Sequence, residues 1–337
     1  MNNSELYLKL SGYWKGRKAI ITGGGGFVGS NLAGSLVDLG AQVTLVDSLV
    51  PEYGGNLYNI SEIKGRVALN ISDVRDKFSL RHLIADQEVL FNLAGQTSHM
   101  DSMSDPQTDL DINCAAQLSI LEVCREVNPM IRIVFASTRQ IYGKPDYLPV
   151  DEKHPVRPVD VNGINKMAGE WYHILYNNVY DLGACVLRLT NTYGPRMRIK
   201  DARQTFLGIW VKKILQGEPF EVWEGKQLRD FTYVDDCVDA LLLGAQSDDA
   251  KGKIFNLGGA EDPVSLDDLA ELLVQVNGGG EFRRMSFPED RRKIDIGDYY
   301  SNSDLIRNVL GWRPKVTLQD GLARTLKYYS ENIQHYL

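Results

Sequence analysis

The segment Ala19-Ile-Ile-Thr-Gly-Gly-Gly-Gly-Phe-Val-Gly29 runs from apolar residues through a cluster of glycines into a helical pattern. Gly23, Gly26 and Gly29 have GxxGxxG spacing, with Phe27 and Val28 opening the helix between them. Glycine allows a tight turn and lets a pyrophosphate approach the amides at a helix N-terminus, where the dipole favours negative charge. The next apolar run ends in Asp47. A carboxylate there accepts hydrogen bonds from the ribose hydroxyls of NAD and repels the additional phosphate of NADP. Asp73 and Val74 follow a third apolar run. Asp73 suits either the adenine amino group or a helix N-cap. These spacings predict an NAD site.

The elements that position such a site are legible as alternating apolar runs and helical stretches. Candidate strands are Ala19–Thr22, Val43–Asp47, Val67–Leu69, Val89–Leu93, Ile131–Ala136 and Val186–Leu189. They are rich in Val, Ile and Leu without strict alternation, as in strands buried on both faces of a parallel sheet. Helical patterns cover Phe27–Leu39, Asp109–Val127 and Asn165–Tyr176. The expected fold is α/β: a Rossmann-type doubly wound parallel sheet with a smaller C-terminal α/β substrate domain. The first domain is expected over residues 1–190, rejoined by about 231–257, and the second over 191–337.

The 337 residues carry 37 Lys+Arg against 44 Asp+Glu, a net charge of −7, which argues against a nucleic-acid partner. Hydrophobic content of 43% and charged content of 24% exclude a disordered chain. No long apolar run suggests a membrane span. The polar start, MNNSELYLKLSGYWKGRK, lacks a signal core and is read as a surface arm. Cys114, Cys124, Cys185 and Cys237 are scattered as reduced thiols would be, so a cytoplasmic protein without a metal site is expected.

The order TGGGGFVG, Asp47, NLAG (Asn92–Gly95), FAST…YG (Phe135–Gly143), Lys166, NTYGP (Asn191–Pro195) and RDFTYVDD (Arg229–Asp236) resembles the extended short-chain dehydrogenase/reductase family. Within it, the chain resembles NAD-dependent nucleotide-sugar epimerases and dehydratases. The resemblance implies NAD in the first domain, with Leu93, Ala94 and Gly95 adding to its site, and a nucleoside-diphosphate sugar in the second. It also implies a homodimer joined through a four-helix interface, for which Leu118, Ile120, Leu121, Trp171, Ile174 and Leu175 are candidates.

The family oxidises a sugar hydroxyl through a Ser or Thr, here Thr138, and the Tyr and Lys of a YxxxK motif. In this chain the tyrosine position is Asn162, four residues before Lys166. An amide is no base near neutral pH. Three readings follow. An enzyme could use a substitute base: Lys166, His99, Tyr142 or Tyr193. It could act on an already oxidised keto sugar, with Asn162 polarising the carbonyl. Or the chain could bind NAD and a nucleotide sugar without catalysis. After Thr138, Arg139-Gln140 stands where the family's 4,6-dehydratases carry Asp-Glu. This favours epimerase-like chemistry over dehydration or decarboxylation, and offers Arg139 to a carboxylate or phosphate. By resemblance, Asn191, Arg229 and Arg292 bind the nucleotide sugar, Arg292 with Asp295, while Trp223 and Phe220 suit either a base pocket or the core.

Overall fold

The computed structural model describes residues 10–203 and 205–337. Six consecutive strands of the first lobe are β1 (Lys18–Thr22), β2 (Gln42–Asp47), β3 (Val67–Ile71), β4 (Val89–Asn92), β5 (Arg132–Thr138) and β6 (Ala184–Leu189). With Ile254–Asn256 they form a seven-stranded sheet in the order Ile254–Asn256, β6, β5, β4, β1, β2, β3. Every pairing in it is parallel. The chain winds outward from β1 to β3, then crosses back to β4. The crevice at that reversal, outside the strand C-termini, is where ligands bind in such sheets.

The four residues of β4 are all buried, and so are four of the five in β1, which is why these strands read as continuous apolar runs. β3 and β5 each end two residues later than expected from sequence. That extension makes Thr138 the last residue of β5. The helix expected over Asp109–Val127 begins earlier, at Pro106 with Asp105 as its cap. It then widens into a π turn over Asp111–Ala115 before continuing as Ala116–Val127. The helix expected over Asn165–Tyr176 spans Val161–Tyr180, because Asp160 caps an additional first turn through Gly163 N at 2.6 Å.

Shorter elements make the second lobe. Asn191–Tyr193 pairs with Phe231–Tyr233, Phe220–Trp223 with Phe282–Met285, and Leu228–Arg229 with Val264–Ser265. Trp210, Phe220, Leu269, Leu322 and Tyr329 form its core. The chain does not stay there: helix Val234–Gln246 packs on β5 and β6, and Ile306, Leu310 and Trp312 enter the first lobe's core. No helix among the described residues is long and apolar enough to cross a membrane. Residues 1–9 of the expected N-terminal arm lie outside the described residues.

A buried ion pair fixes the helix Val161–Tyr180 to the sheet. Arg188 of β6 donates through Nε to Glu170 at 3.0 Å and again through Nη2. Arg188 also donates to the Tyr142 hydroxyl, which donates to Asn256 at 2.7 Å. Tyr142 is therefore a core residue, its phenol pushed up to about 12 by burial. Tyr193 is buried too and donates to Leu318 O at 3.3 Å. Neither tyrosine lines the cleft, so neither is a substitute base. Of the six residues suggested for a dimer face, Leu118, Trp171 and Leu175 are exposed, whereas Ile120, Leu121 and Ile174 are buried in this chain's own core. Helical periodicity turns the second set toward the sheet.

Removing one member of a buried ion pair leaves the other charge uncompensated. Glu170→Ala is expected to cost about 3–5 kcal/mol, read as a lower urea midpoint. An unchanged midpoint would mean that the pair does not anchor this helix.

Candidate active site

A single cleft of about 890 Å³ runs along the strand C-termini, from the glycine loop to the second lobe. At one end, Gly23 has φ +74, and a Cβ there would lie 3.0 Å from Ala94 N. A Cβ on Gly29 would lie 2.1 Å from Gly23 O. Only glycine permits this close turn. Gly26 opens helix Phe27–Asp38 with no side chain capping its amides, which leaves a helix N-terminus suited to a pyrophosphate. Asp47 accepts from Gly25 N at 2.8 Å and Leu49 N at 2.7 Å. Burial raises its pKa against those two bonds. Phe27, Val28, Leu93, Ala94 and Gly95 line the same wall.

Asp73 and Val74 also face the cleft. Arg75 grips the Asp73 carboxylate from Nε at 2.9 Å and Nη2 at 2.7 Å and holds it below the usual range. Asp73 does not cap the following helix. Asp76 does, through Phe78 N at 3.0 Å.

Thr138, Asn162, Lys166 and His99 all line this cleft. The Asn162 amide nitrogen donates to Gln96 O at 2.8 Å and to Asp109 Oδ2 at 3.0 Å. Two acceptors on one side settle which atom is nitrogen. Both amide hydrogens are occupied, so Asn162 offers a ligand only its oxygen, an acceptor. Asn165 donates to the other oxygen of Asp109 at 2.8 Å. Lys166 donates to Ala136 O at 3.2 Å. Burial lowers its pKa to about 8, with Asp109 opposing. A Cβ on Gly95 would lie 2.8 Å from both Asn113 Oδ1 and Lys166 Nζ, so a larger residue there would displace the ammonium.

His99 Nδ1 is 2.9 Å from Asp160 Oδ2, a buried carboxylate. The Gln140 amide nitrogen, a donor, lies 3.1 Å from His99 Nε2. The carboxylate beside Nδ1 favours a proton there and the amide beside Nε2 a lone pair, although Nδ1 and Asp160 Oδ2 are in ion-pair contact without an aligned hydrogen bond. Burial opposes the charge on Asp160, yet His99 and the Gly163 amide outweigh it and hold the carboxyl below its usual pKa. Asp160, Asp109 and the contact of Gln140 with His99 escaped sequence reasoning. The helix-capping position of Asp160 was the available signal.

At the far end, Arg139 donates to Asn191 Oδ1 at 3.0 Å, and Asn191 donates to Asp230 O at 2.9 Å. Arg229 is buried and donates to Leu228 O at 2.8 Å and to Gly297 O. Burial lowers its pKa to about 10, helped by the charge on Arg139. Asp295 stands 3.8 Å from it and lines the cleft. Arg292 does not line the cleft. It turns outward to Glu224 at 3.0 Å and Glu289 at 3.3 Å, since those exposed carboxylates flank its loop. Trp223 lines the cleft, whereas Phe220 is core.

The profile of the NAD dependent epimerase/dehydratase family matches residues 19–258. The chain belongs to that family. Family members it resembles include a putative UDP-glucose 4-epimerase of Methanocaldococcus jannaschii, 32% identical over 93% of this chain and 98% of that one. A UDP-glucuronic acid decarboxylase 1 of Xenopus tropicalis is 31% identical over 95% of this chain and 73% of the other. The solved UDP-glucose 4-epimerase of Thermotoga maritima superposes with a TM-score of 0.84 at 27% identity, covering 94% of this chain and 99% of that one. The cleft fits the family's NAD: a glycine turn, an uncapped helix N-terminus and an acid after β2 converge at one end of it.

The pKa of Lys166 gives a pH test. In the fold Lys166 loses its proton near pH 8, against 10.5 ordinarily. Between those values the unfolded chain binds the extra proton, so stability rises with pH, by up to ~3 kcal/mol. The advantage is complete above the ordinary value and lost as pH falls through about 8. Urea unfolding of the ligand-free protein across this window is expected to show the rise in wild type minus Lys166→Met. A flat difference would contradict the lowered pKa.

Proposed function

We propose that the chain is an NAD-dependent nucleotide-sugar epimerase-like enzyme with a non-standard catalytic centre, in which His99 takes the proton of the reacting hydroxyl. One observation carries this reading. In the cleft, Asn162 can only accept a hydrogen bond, while His99 lines the same cleft with Nδ1 against the Asp160 carboxylate at 2.9 Å, a contact that favours a lone pair on Nε2.

NAD, when bound, supplies the acceptor for a hydride from the sugar carbon and later the donor that returns it. The protein handles the proton. Thr138 donates to the reacting oxygen, that oxygen displaces the Gln140 amide at His99 Nε2 and its proton passes to that nitrogen, while Asn162 Oδ1 accepts from a neighbouring sugar hydroxyl. With the hydride accepted by NAD and the proton held on His99, the sugar carbon would stand as a ketone, and His99 would give that proton back to the oxygen as the epimer forms. Asp160 orients the ring and stabilises its charged form, as a carboxylate behind a histidine does. Lys166 holds the nicotinamide ribose and adds positive charge. Asn191 and Arg229 hold the diphosphate.

Two features favour epimerisation over the other reactions of the family. Arg139-Gln140 offers no carboxylic acid to eliminate water. A pre-oxidised ketone would gain no donor from Asn162, whose amide hydrogens are already taken.

The test is turnover on a panel of nucleoside-diphosphate sugars, followed by chromatography of products and by the absorbance of reduced nicotinamide. Wild type is expected to form an epimer. His99→Gln is expected to lower kcat by about 10²–10⁴ with little change in KM, and Asp160→Asn by less. Wild-type turnover in His99→Gln would remove His99 as the base. Sugars that bind without product or absorbance change would leave a binding protein.

A further inference from the structure

Two guanidinium groups share the substrate half of the cleft, and the diphosphate accounts for one. Arg229 is seated by two backbone carbonyls with Asp295 alongside. Arg139 is different. Its only hydrogen bond among the described residues is to the neutral Asn191 side chain. No carboxylate among the described residues makes an ion pair with it. Its Nη1 is buried without an acceptor, and its face lies 5.1 Å from the Tyr299 ring. Burial disfavours the charge of Arg139, and Tyr299, Asp230 and Asp295 offset this only in part, with no carboxylate in ion-pair contact. A cation beside a second cation, with a buried donor unmatched, is completed by an anion.

The position of Arg139 says which anion. It directly follows Thr138, at the reacting end of the cleft, and touches Asn191 on the diphosphate side. A charge bound there sits on the sugar, between the reacting carbon and the phosphates. Planar guanidinium donors match a carboxylate in a forked arrangement.

We propose that Arg139 is a specificity-determining residue that selects a nucleoside-diphosphate sugar bearing a carboxylate. This rests on the nucleotide-sugar reading above and deepens it. The acid is either the oxidised exocyclic carbon of the ring or an acid carried on an ether substituent.

The test measures binding to the NAD-loaded protein by calorimetry. Nucleoside diphosphates without sugar come first and select the base. Matched acidic and neutral sugars on that base follow, for instance UDP-glucuronate against UDP-glucose and UDP-N-acetylmuramate against UDP-N-acetylglucosamine. In wild type, one acidic member is expected to bind at least about ten-fold more tightly than its neutral partner, and the pair that shows this identifies the source of the acid. Arg139→Gln keeps a donor for Asn191. It is expected to bring that ratio close to one while changing neutral-sugar and nucleoside-diphosphate affinity less than about three-fold. Arg229→Gln is expected to weaken all of these ligands together.

A wild-type ratio near one for both pairs, or a ratio that survives Arg139→Gln, overturns the proposal. So does an Arg139→Gln loss shared equally by the bare diphosphate, which would make Arg139 a second phosphate contact. Binding of no nucleoside diphosphate at all would instead defeat the nucleotide-sugar reading, and this inference with it.

Discussion

Arg188 joins the two segments that hold the reacting centre. Its guanidinium pairs with Glu170 in the helix Val161–Tyr180, which carries Asn162 and Lys166. It also binds the Tyr142 hydroxyl at the end of the turn that carries Thr138, Arg139 and Gln140. Both anchors reach a side chain of β6, in the middle of a parallel sheet. A buried charge tolerates little displacement, because each lost hydrogen bond leaves an uncompensated group. The helix and the turn are therefore held in register with one another, and catalytic geometry on the scale of a hydrogen bond becomes possible.

The buried carboxylate of Asp109 performs a second positioning task. It accepts from Asn162 and from Asn165, one turn apart on the same helix face. This fixes the rotamer of Asn162 and decides what it can offer a ligand. Lys166, the residue after Asn165, lies near the same negative charge, which partly offsets its desolvation. The groups of this network that face the cleft include an amide oxygen, a hydroxyl, an ammonium and an imidazole.

Much of this was legible from residue order. The glycine loop, Asp47, Thr138, Lys166, Asn191 and Arg229 all face the cleft, because each sits at the C-terminal end of a strand or the first turns of a helix, where a parallel sheet directs its loops. What local order could not convey was pairing across the chain. His99 and Asp160 are far apart in sequence and meet only because the loop after β4 lies beside the helix that follows β5. Arg292 shows the converse limit. A charged residue on a loop follows whichever partner is near, and two glutamates draw it away from the cleft. Tyr142 and Tyr193 stood beside cleft motifs yet point into the cores: Tyr193 because side chains alternate along its strand, and Tyr142 because the helical turn that ends at it directs its hydroxyl to Asn256.

The path of the chain between the lobes has an evolutionary consequence. After Asn191–Tyr193 enters the second lobe, helix Val234–Gln246 and strand Ile254–Asn256 return to the sheet, and Trp312 seals the first core with its indole donating to Asp236 O at 2.9 Å. No single cut separates a cofactor module from a substrate module. New substrate preferences in such an architecture cannot arise by exchanging a cassette, as they can in proteins built from beads on a string. They come more readily by point changes within the walls of the existing cleft, where one substitution alters a ligand contact without disturbing either core.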